Sequence, residues 1–502
     1  KATARRKAPV RKKKATARGK APVRKKKATA RGKAPVRKKK ATARRKAPVR
    51  KKTATSRRTK PVVPRRLPPI DTRQKIVAAW RMRRQRLENP TLRLPEDLGT
   101  TFARTGWLPA PHGSPAPYLA LAARFASFSR LDLERALYDE GRLIEMPAVR
   151  GENMLLPVAD AWIGLQAYRR HTKQKLSVYL TRHRLMTRTA LLTLEDVLRA
   201  VLAGRDLPVE MLRDKVPPRL VKDFGEVGAR LGVPTSVDLA LWDLQRTGNV
   251  LVRQTDRRDP AAGRRYVLRR DLTGPVMAVD LRSRDEEVWL RALAGRYFAW
   301  AGPARIENFA WWADIPAAQA RRVVTDLALR RVRIEGARGN SFMLPADAEV
   351  LTAFSPPETP GVALVPLDDS LTATLKSLTG LVDPGDGARP LVGWTGKAGA
   401  VSRSRFHESR HHFVVVSGLL AGAWEHGLDG VLRYATFRDL SPHVERALSA
   451  RALAMAEFVR RDLVRPGQAG TEAEAKAGVS TLRQIAQNWS GRSTAVTPKE
   501  IF

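Results

Sequence analysis

The hydrophobic rhythm of the chain changes three times. Residues 1–70 carry almost no large apolar side chains. From Asp71 onward apolar positions recur at helical spacing, broken by short runs that read as hairpins. Asp71 and Gln74 have the spacing of a capping box ahead of an apolar series at Ile76, Trp80 and Leu87, which predicts a first helix. The pattern then reads helix (118–125), helix (131–138), strand (142–149), a turn at Gly151 and strand (153–156). It repeats with helices at 194–202 and 235–245 before strands at 250–253 and 266–269. A third round has helices at 286–300, 306–313 and 316–329 before strands at 332–335 and 341–344. Helices leading into a hairpin is the order of a winged helix, whose last helix enters the major groove while the wing touches the backbone. Beyond Gly361 the runs shorten to 362–365, 390–392, 412–416, 422–425 and 430–434, punctuated by Gly and Pro. They predict a small β-barrel or sandwich, followed by a helix over 442–463 and 36 loosely ordered residues.

The expected fold class is therefore mainly α with β: three tandem winged-helix units, then a small C-terminal β-barrel, all behind a disordered basic tail. The boundaries read from the pattern are 1–70 for the tail, then 71–190, 191–275 and 276–352 for the winged helices. The barrel domain is expected at 361–466 and a C-terminal tail at 467–502.

Charge sharpens the reading of the tail. Residues 1–52 are four copies of a 13-residue unit, KATARRKAPVRKK or KATARGKAPVRKK, each with one Pro. With Arg57, Arg58, Lys60, Arg65 and Arg66 the tail holds 31 cations and no acid before Asp71, out of a net charge of +46 for all 502 residues. Such a segment has nothing to bury against the entropy of ordering. Its partner is a polyanion, and 31 cations match up to about 15 base pairs of duplex DNA. The paired lysines Lys12 and Lys13, Lys25 and Lys26, Lys38 and Lys39, and Lys51 and Lys52 are the candidate phosphate contacts. These contacts position a protein without reading sequence. Periodic Ala/Lys/Pro tails resemble those of bacterial and eukaryotic linker-histone-like proteins, although a solubilising tail, a localisation signal, lipid head groups and RNA are alternatives.

The absence of cysteine excludes disulfide scaffolds, Cys-ligated zinc and iron–sulfur sites. The longest apolar run, 413–424, is too short to cross a bilayer, so no membrane partner is expected. No apolar secretory segment lies near the start, which predicts a cytoplasmic protein; with a DNA-binding tail it is expected on the nucleoid, and a monomer is expected. The chain begins at Lys1, so an initiator Met and further N-terminal residues are expected upstream.

Several motifs dissolve on inspection. His407-Glu408-Ser409-Arg410-His411 matches H-E-x-x-H, but a β-branched run at 413–416 follows where a helix is required, so no metal is expected. Gly396-Lys397 lies too close to Gly393 for a phosphate-binding loop. The acids Asp285, Glu286 and Glu287 read as compensation of a helix dipole. Trp311 and Trp312 read either as core or as a stacking platform. On the second hairpin, Arg253, Arg257, Arg258, Arg264 and Arg265 outnumber Asp256 and Asp259 and are candidate phosphate contacts. Arg104, Arg182, His183 and Arg184 are weaker ones.

Five segments in order resemble the AlkZ/YcaQ-type winged-helix DNA glycosylases. These are Leu119-Ala120-Leu121-Ala122-Ala123-Arg124, the turn from Arg150-Gly151 to Leu156-Pro157, Arg296 to Ala304 continuing to Trp312, Leu364 to Asp369, and Gly422-Ala423-Trp424. The resemblance spans about Asp71 to Leu463. It implies three winged helices and a β-barrel around DNA, no cofactor, and removal of alkylated or interstrand-crosslinked bases by cleavage of the N-glycosidic bond. It also implies a Gln-x-Gln or Gln-x-Asp motif just before the Leu119 helix. This chain has Gly106-Trp107-Leu108-Pro109-Ala110-Pro111-His112 there, with Pro109 and Pro111 at the two polar positions. No Gln lies between Arg86 and Gln166 to restore the motif in another register. Proline offers no side-chain donor or acceptor. His112 is the remaining candidate general base, with a solvated loop histidine as the alternative. Two functions follow: a DNA repair glycosylase or damage-recognition relative acting on double-stranded DNA, or a non-catalytic nucleoid-associated or regulatory DNA-binding protein.

Overall fold

The computed structural model describes residues 67–88, 94, 97–259, 263–272, 274–282, 284–383, 391–392, 400–401, 412–427, 430–465 and 499–501. The tail lysines, the H-E-x-x-H segment at 407–411 and Gly396-Lys397 lie outside the described residues.

The first strand, β1 (Ile70–Thr72), takes Asp71 out of the expected capping box. Asp71 pairs with Arg333 at 2.9 Å instead, and Arg73 becomes the N-cap of the helix Gln74–Arg84 with no side-chain cap. Arg86, at φ 55°, ends that helix before Leu87, which is nevertheless buried. The strands β2 (Leu108–Pro109), β3 (Leu143–Pro147) and β4 (Asn153–Pro157) make one sheet in the order β2-β4-β3. The helices Ala116–Ala122 and Arg130–Glu134 precede the β3–β4 hairpin. A second sheet, β5-β7-β6, joins β5 (Asp206–Pro208), β6 (Val250–Gln254) and β7 (Arg264–Leu268) after the helices Arg188–Leu202 and Ser236–Arg246. In the third, β8 (Arg330–Ile334) and β9 (Ser341–Met343) form a hairpin behind the helices Glu286–Ala301, Ile306–Trp312 and Ala317–Thr325. Here β1 adds to β8 in parallel, pairing Ile70 with Val332 across the length of the body.

The C-terminal part contains β10 (Val362–Val365), the short pair β11 (Leu391–Val392) and β12 (Ala400–Val401), β13 (His412–Val416), β14 (Leu419–His426), β15 (Leu432–Thr436) and β16 (Lys499–Ile501). Five of these form an open antiparallel sheet, β10-β13-β14-β15-β16. Among the described residues no sheet closes into a barrel, so that expectation is corrected: β10 and β16 are free edges, and the helix Pro442–Phe458 covers β10. The C-terminal segment, expected to be loosely ordered throughout, supplies β16. The β13–β14 turn is held by Ser417 and Gly418 at positive φ. A Cβ on Gly418 would stand 2.0 Å from the Ala78 carbonyl, so the hairpin sits flush on the first helix only with glycine there.

One buried charge cluster gives a pH-dependent stability. Glu195 on the helix Arg188–Leu202 faces Asp243 on Ser236–Arg246, and both side chains are buried. Asp243 takes Arg188 at 2.8 Å and Arg246 at 2.6 Å, whereas among the described residues Glu195 has one ion pair, Arg199 at 3.0 Å, and a second oxygen that no donor reaches. Burial and the neighbouring Asp243 push the Glu195 carboxyl up to about 7. A folded-state value above the unfolded one means that Glu195 favours the native state fully at low pH. That contribution is lost as pH rises through about 7. Glu195→Gln should therefore flatten the pH profile of urea unfolding between pH 5 and 8, and at pH 8 exceed the wild type by on the order of 1 kcal/mol or more. An unchanged profile would place the titration elsewhere.

Candidate functional site

The proline pair lies at a cleft. Pro109 closes the edge strand β2, whose pairing to β4 puts Pro109 opposite Met154, and an edge position suits a residue with no N–H to give. Buried Ala110 donates its N–H to the Asn153 carbonyl at 2.8 Å. With Ala110 turned inward, the alternation of an extended chain sends Pro109 and Pro111 the other way, where both line a cavity of about 790 Å³. His112, Arg264 and Asp368 share this lining.

His112 is anchored from behind. It is hydrogen-bonded to Gln254, whose amide donates to Glu145 at 2.6 Å and whose oxygen accepts from the Gly113 N–H at 3.3 Å. Burial, then the charges of Arg264 and Arg257, hold the imidazole below its ordinary value, so it is neutral near pH 7. Its Nδ1 is buried and meets no partner among the described residues.

The mouth of the cleft is built on a strained turn. Arg150 and Gly151 both adopt positive φ between β3 and β4, and a Cβ on Gly151 would meet the His171 ring at 2.9 Å. The Arg150 guanidinium lies 4.2 Å over the Trp311 ring and pairs with Glu152 at 2.8 Å. On the helix Ala161–Ser177, His171 meets Asp314 at 2.7 Å and Lys175 meets His171 at 3.0 Å. Trp311 is thus a cleft wall under a cation, whereas Trp312 is core, packed 5.8 Å from Trp107 between ring centroids.

The hairpin arginines separate into different roles. Arg257 is 2% exposed and ion-paired to buried Glu145, so it is removed from the candidate phosphate contacts. Arg258 folds onto Asp256 at 2.8 Å. Arg253 and Arg265 share Asp206, at 3.5 and 2.9 Å, and Arg253 also stacks 4.6 Å from the Tyr138 ring. The expected excess of positive charge there is therefore partly cancelled by Glu145 and Asp206, from outside the hairpin. Arg264 is exposed at the cleft and has no ion pair among the described residues. Arg104, Arg182, His183 and Arg184 are exposed.

One wall of the cleft comes from the stretch Leu367–Leu378, and its position is set by a buried ion pair. Asp369 grips Arg124 through two bonds of 2.6 and 2.9 Å, and Arg124 also donates to Gln85 at 3.1 Å. Asp369 caps the helix Ser370–Ala373, which packs on β2 beside Pro109. Asp368, next to this anchor, is partly buried at the cleft. Burial, with the charge of Glu152 adding, pushes its carboxyl up to about 6. Sequence reading did not single it out as a site residue, since an adjacent pair of acids after an apolar run carries no spacing signal. Among the described residues no group of three or more His, Asp or Glu side chains could hold a metal, and no helix is long and apolar enough to cross a membrane.

The segments that carried the resemblance mostly hold this frame. Arg296 pairs with Asp160 at 2.9 Å, the Tyr297 hydroxyl donates to the Thr374 carbonyl at 3.0 Å, and buried Trp424 packs on His412.

No curated protein matches the chain. Among solved structures, the Streptomyces sahachiroi DNA glycosylase AlkZ is similar at a TM-score of 0.56 and 22% identity, covering 79% of this chain and 100% of that one. At that identity the likeness speaks for the fold. The sequence model of the family described as DNA glycosylase AlkZ-like matches residues 102–458, which takes in the proline pair, the cleft and most of the open sheet. By that match the chain belongs to the AlkZ-like DNA glycosylase family.

Proposed function

We propose that this protein is a repair or damage-recognition factor that binds alkylated or crosslinked double-stranded DNA as a monomer and excises bases slowly. The observation that carries the reading is the cleft in a member of a glycosylase family. It has a cationic mouth, it is large enough for a flipped nucleotide, and it is lined by two prolines where the resemblance implies polar side chains. On this reading the three helix-and-hairpin segments, over 71–190, 191–275 and 276–352, act as winged helices against the duplex. The segment 361–466, which carries four strands of the open sheet, forms the remaining wall. Arg264, Arg104, Arg182 and Arg184 contact phosphates, and Arg150 over Trp311 offers a cation–π surface at the entrance. The basic tail supplies sequence-independent affinity and keeps the protein on the nucleoid in the cytoplasm. A regulatory or architectural role without chemistry is favoured by one observation, the loss of both polar motif positions.

Binding separates these readings from proteins that do not act on DNA. Full-length protein should bind a duplex carrying one N7-alkylguanine more tightly than the undamaged duplex at 0.15 M salt. Equal affinity would favour the architectural role. Deleting residues 1–66, which removes every tail cation and spares β1, should flatten the plot of log K against log salt by about 0.9 for each phosphate that the tail neutralises, while the preference for damage persists. An unchanged slope would show that the tail does not engage the phosphates.

A further inference from the structure

We propose that Asp368 is the carboxylate of this cleft that holds the positively charged sugar, in the place left open by Pro109 and Pro111. The inference rests on the DNA-binding reading above and gives it a chemical centre. Asp368 lines the same cavity as both prolines and His112. Among the described residues it has no hydrogen bond and no ion pair, although the cavity also contains Arg150, Lys175 and Arg264. Those cations are placed otherwise: Arg150 is committed to Glu152 and Trp311, Lys175 to His171, and Arg264 is exposed. The neighbouring Asp369 is locked to Arg124, and the Leu367 N–H donates to His412 at 3.0 Å, so the backbone on both sides of Asp368 is held. A pinned backbone and an unpartnered acid in a cleft form a preorganised anionic site.

The chemistry asks for such a site. When the C1′–N bond of an alkylated purine breaks, its electron pair leaves with the base, which becomes neutral. The positive charge passes to the sugar until water adds to C1′ and releases a proton to solvent. A carboxylate beside the ring stabilises that cation without a covalent bond. The raised proton affinity of Asp368 is what a carboxylate waiting in a partly desolvated cleft for a cation should show.

Binding of two abasic-site analogues tests this independently of excision. One duplex carries a single pyrrolidine nucleotide, whose ring nitrogen is positive at pH 7.5, and the other a neutral tetrahydrofuran. Wild-type protein should bind the pyrrolidine duplex tighter by about tenfold or more, the range of a hydrogen bond to a charged group. Asp368→Asn should bring the ratio close to one, leave tetrahydrofuran affinity within about twofold, and keep the wild-type melting temperature. Asp368→Glu should restore part of the ratio. A wild-type ratio near one, or a ratio kept in Asp368→Asn, overturns the assignment and leaves DNA binding standing. Failure to bind any duplex overturns the DNA-binding reading, and this inference with it.

Discussion

Asp369→Ala should destabilise the protein by about 3–5 kcal/mol, the cost of leaving one member of a buried ion pair alone. The Arg124 guanidinium is 1% exposed and the Asp369 carboxylate 0%. Removing the carboxylate would strip Arg124 of both short bonds and leave it the Ala120 carbonyl at 2.7 Å, Gln85 and Ser370. Among the described residues its buried Nε already meets no partner, so the site has no spare acceptor to compensate. The same change removes the bond from the Leu371 N–H at 2.8 Å that caps the helix Ser370–Ala373. Arg124→Met combined with Asp369→Ala should cost less than Asp369→Ala alone, because no unpaired charge remains buried. Urea unfolding of the two variants measures both terms. A loss below about 1 kcal/mol in Asp369→Ala would mean that water or a shifted side chain replaces the carboxylate.

Much of this frame was legible in the chain, and the failures share one cause. The runs Val362–Val365, between Gly361 and Pro366, and His412–Val416, ending in three valines before Ser417-Gly418, are strands over those residues. Asp285, read as dipole compensation, caps its helix by accepting from the Glu287 N–H at 3.0 Å. What stayed hidden depends on partners far along the chain. β1 is three residues whose ladder lies on β8, and β16 is three residues whose ladder lies on β15. Arg257 looks like a wing-tip cation until Glu145 of another sheet buries it, and Arg253 with Arg265 look free until Asp206 arrives. The helix Ala161–Ser177 shows no apolar stripe because Ile163 to Tyr168 are buried on every side while the second half is largely basic. The cleft itself was reachable through Pro109, Pro111 and His112. Asp368 was not, because its meaning comes from what stands across the cavity.

Incubated with duplex bearing N7-alkylguanine, the wild-type protein should generate abasic sites slowly, and added divalent metal should bring no gain. Efficient excision needs a placed water and a polar oxygen beside the sugar as positive charge develops. Losing one such group costs roughly 10²–10³-fold, and losing two costs more. Pro109 and Pro111 supply neither; Asp368 makes good only the oxygen, and alkylated purines are good leaving groups, so a slow release remains. Pro109→Gln with Pro111→Gln should raise the single-turnover rate by about 10²-fold or more, because the two positions already face the cavity. The added conformational freedom of the unfolded chain should cost only about 1 kcal/mol per proline removed. Neutral His112 lines the same cavity and can relay the attacking water's proton to solvent, so His112→Ala should lower whatever rate is observed. Robust turnover by the wild type would sink the deficiency assigned to the prolines, and its loss in His112→Ala would then identify the replacement base. No gain in the double glutamine variant, with binding of the alkylated duplex intact, would show that the cleft walls no longer hold a nucleotide in line for attack.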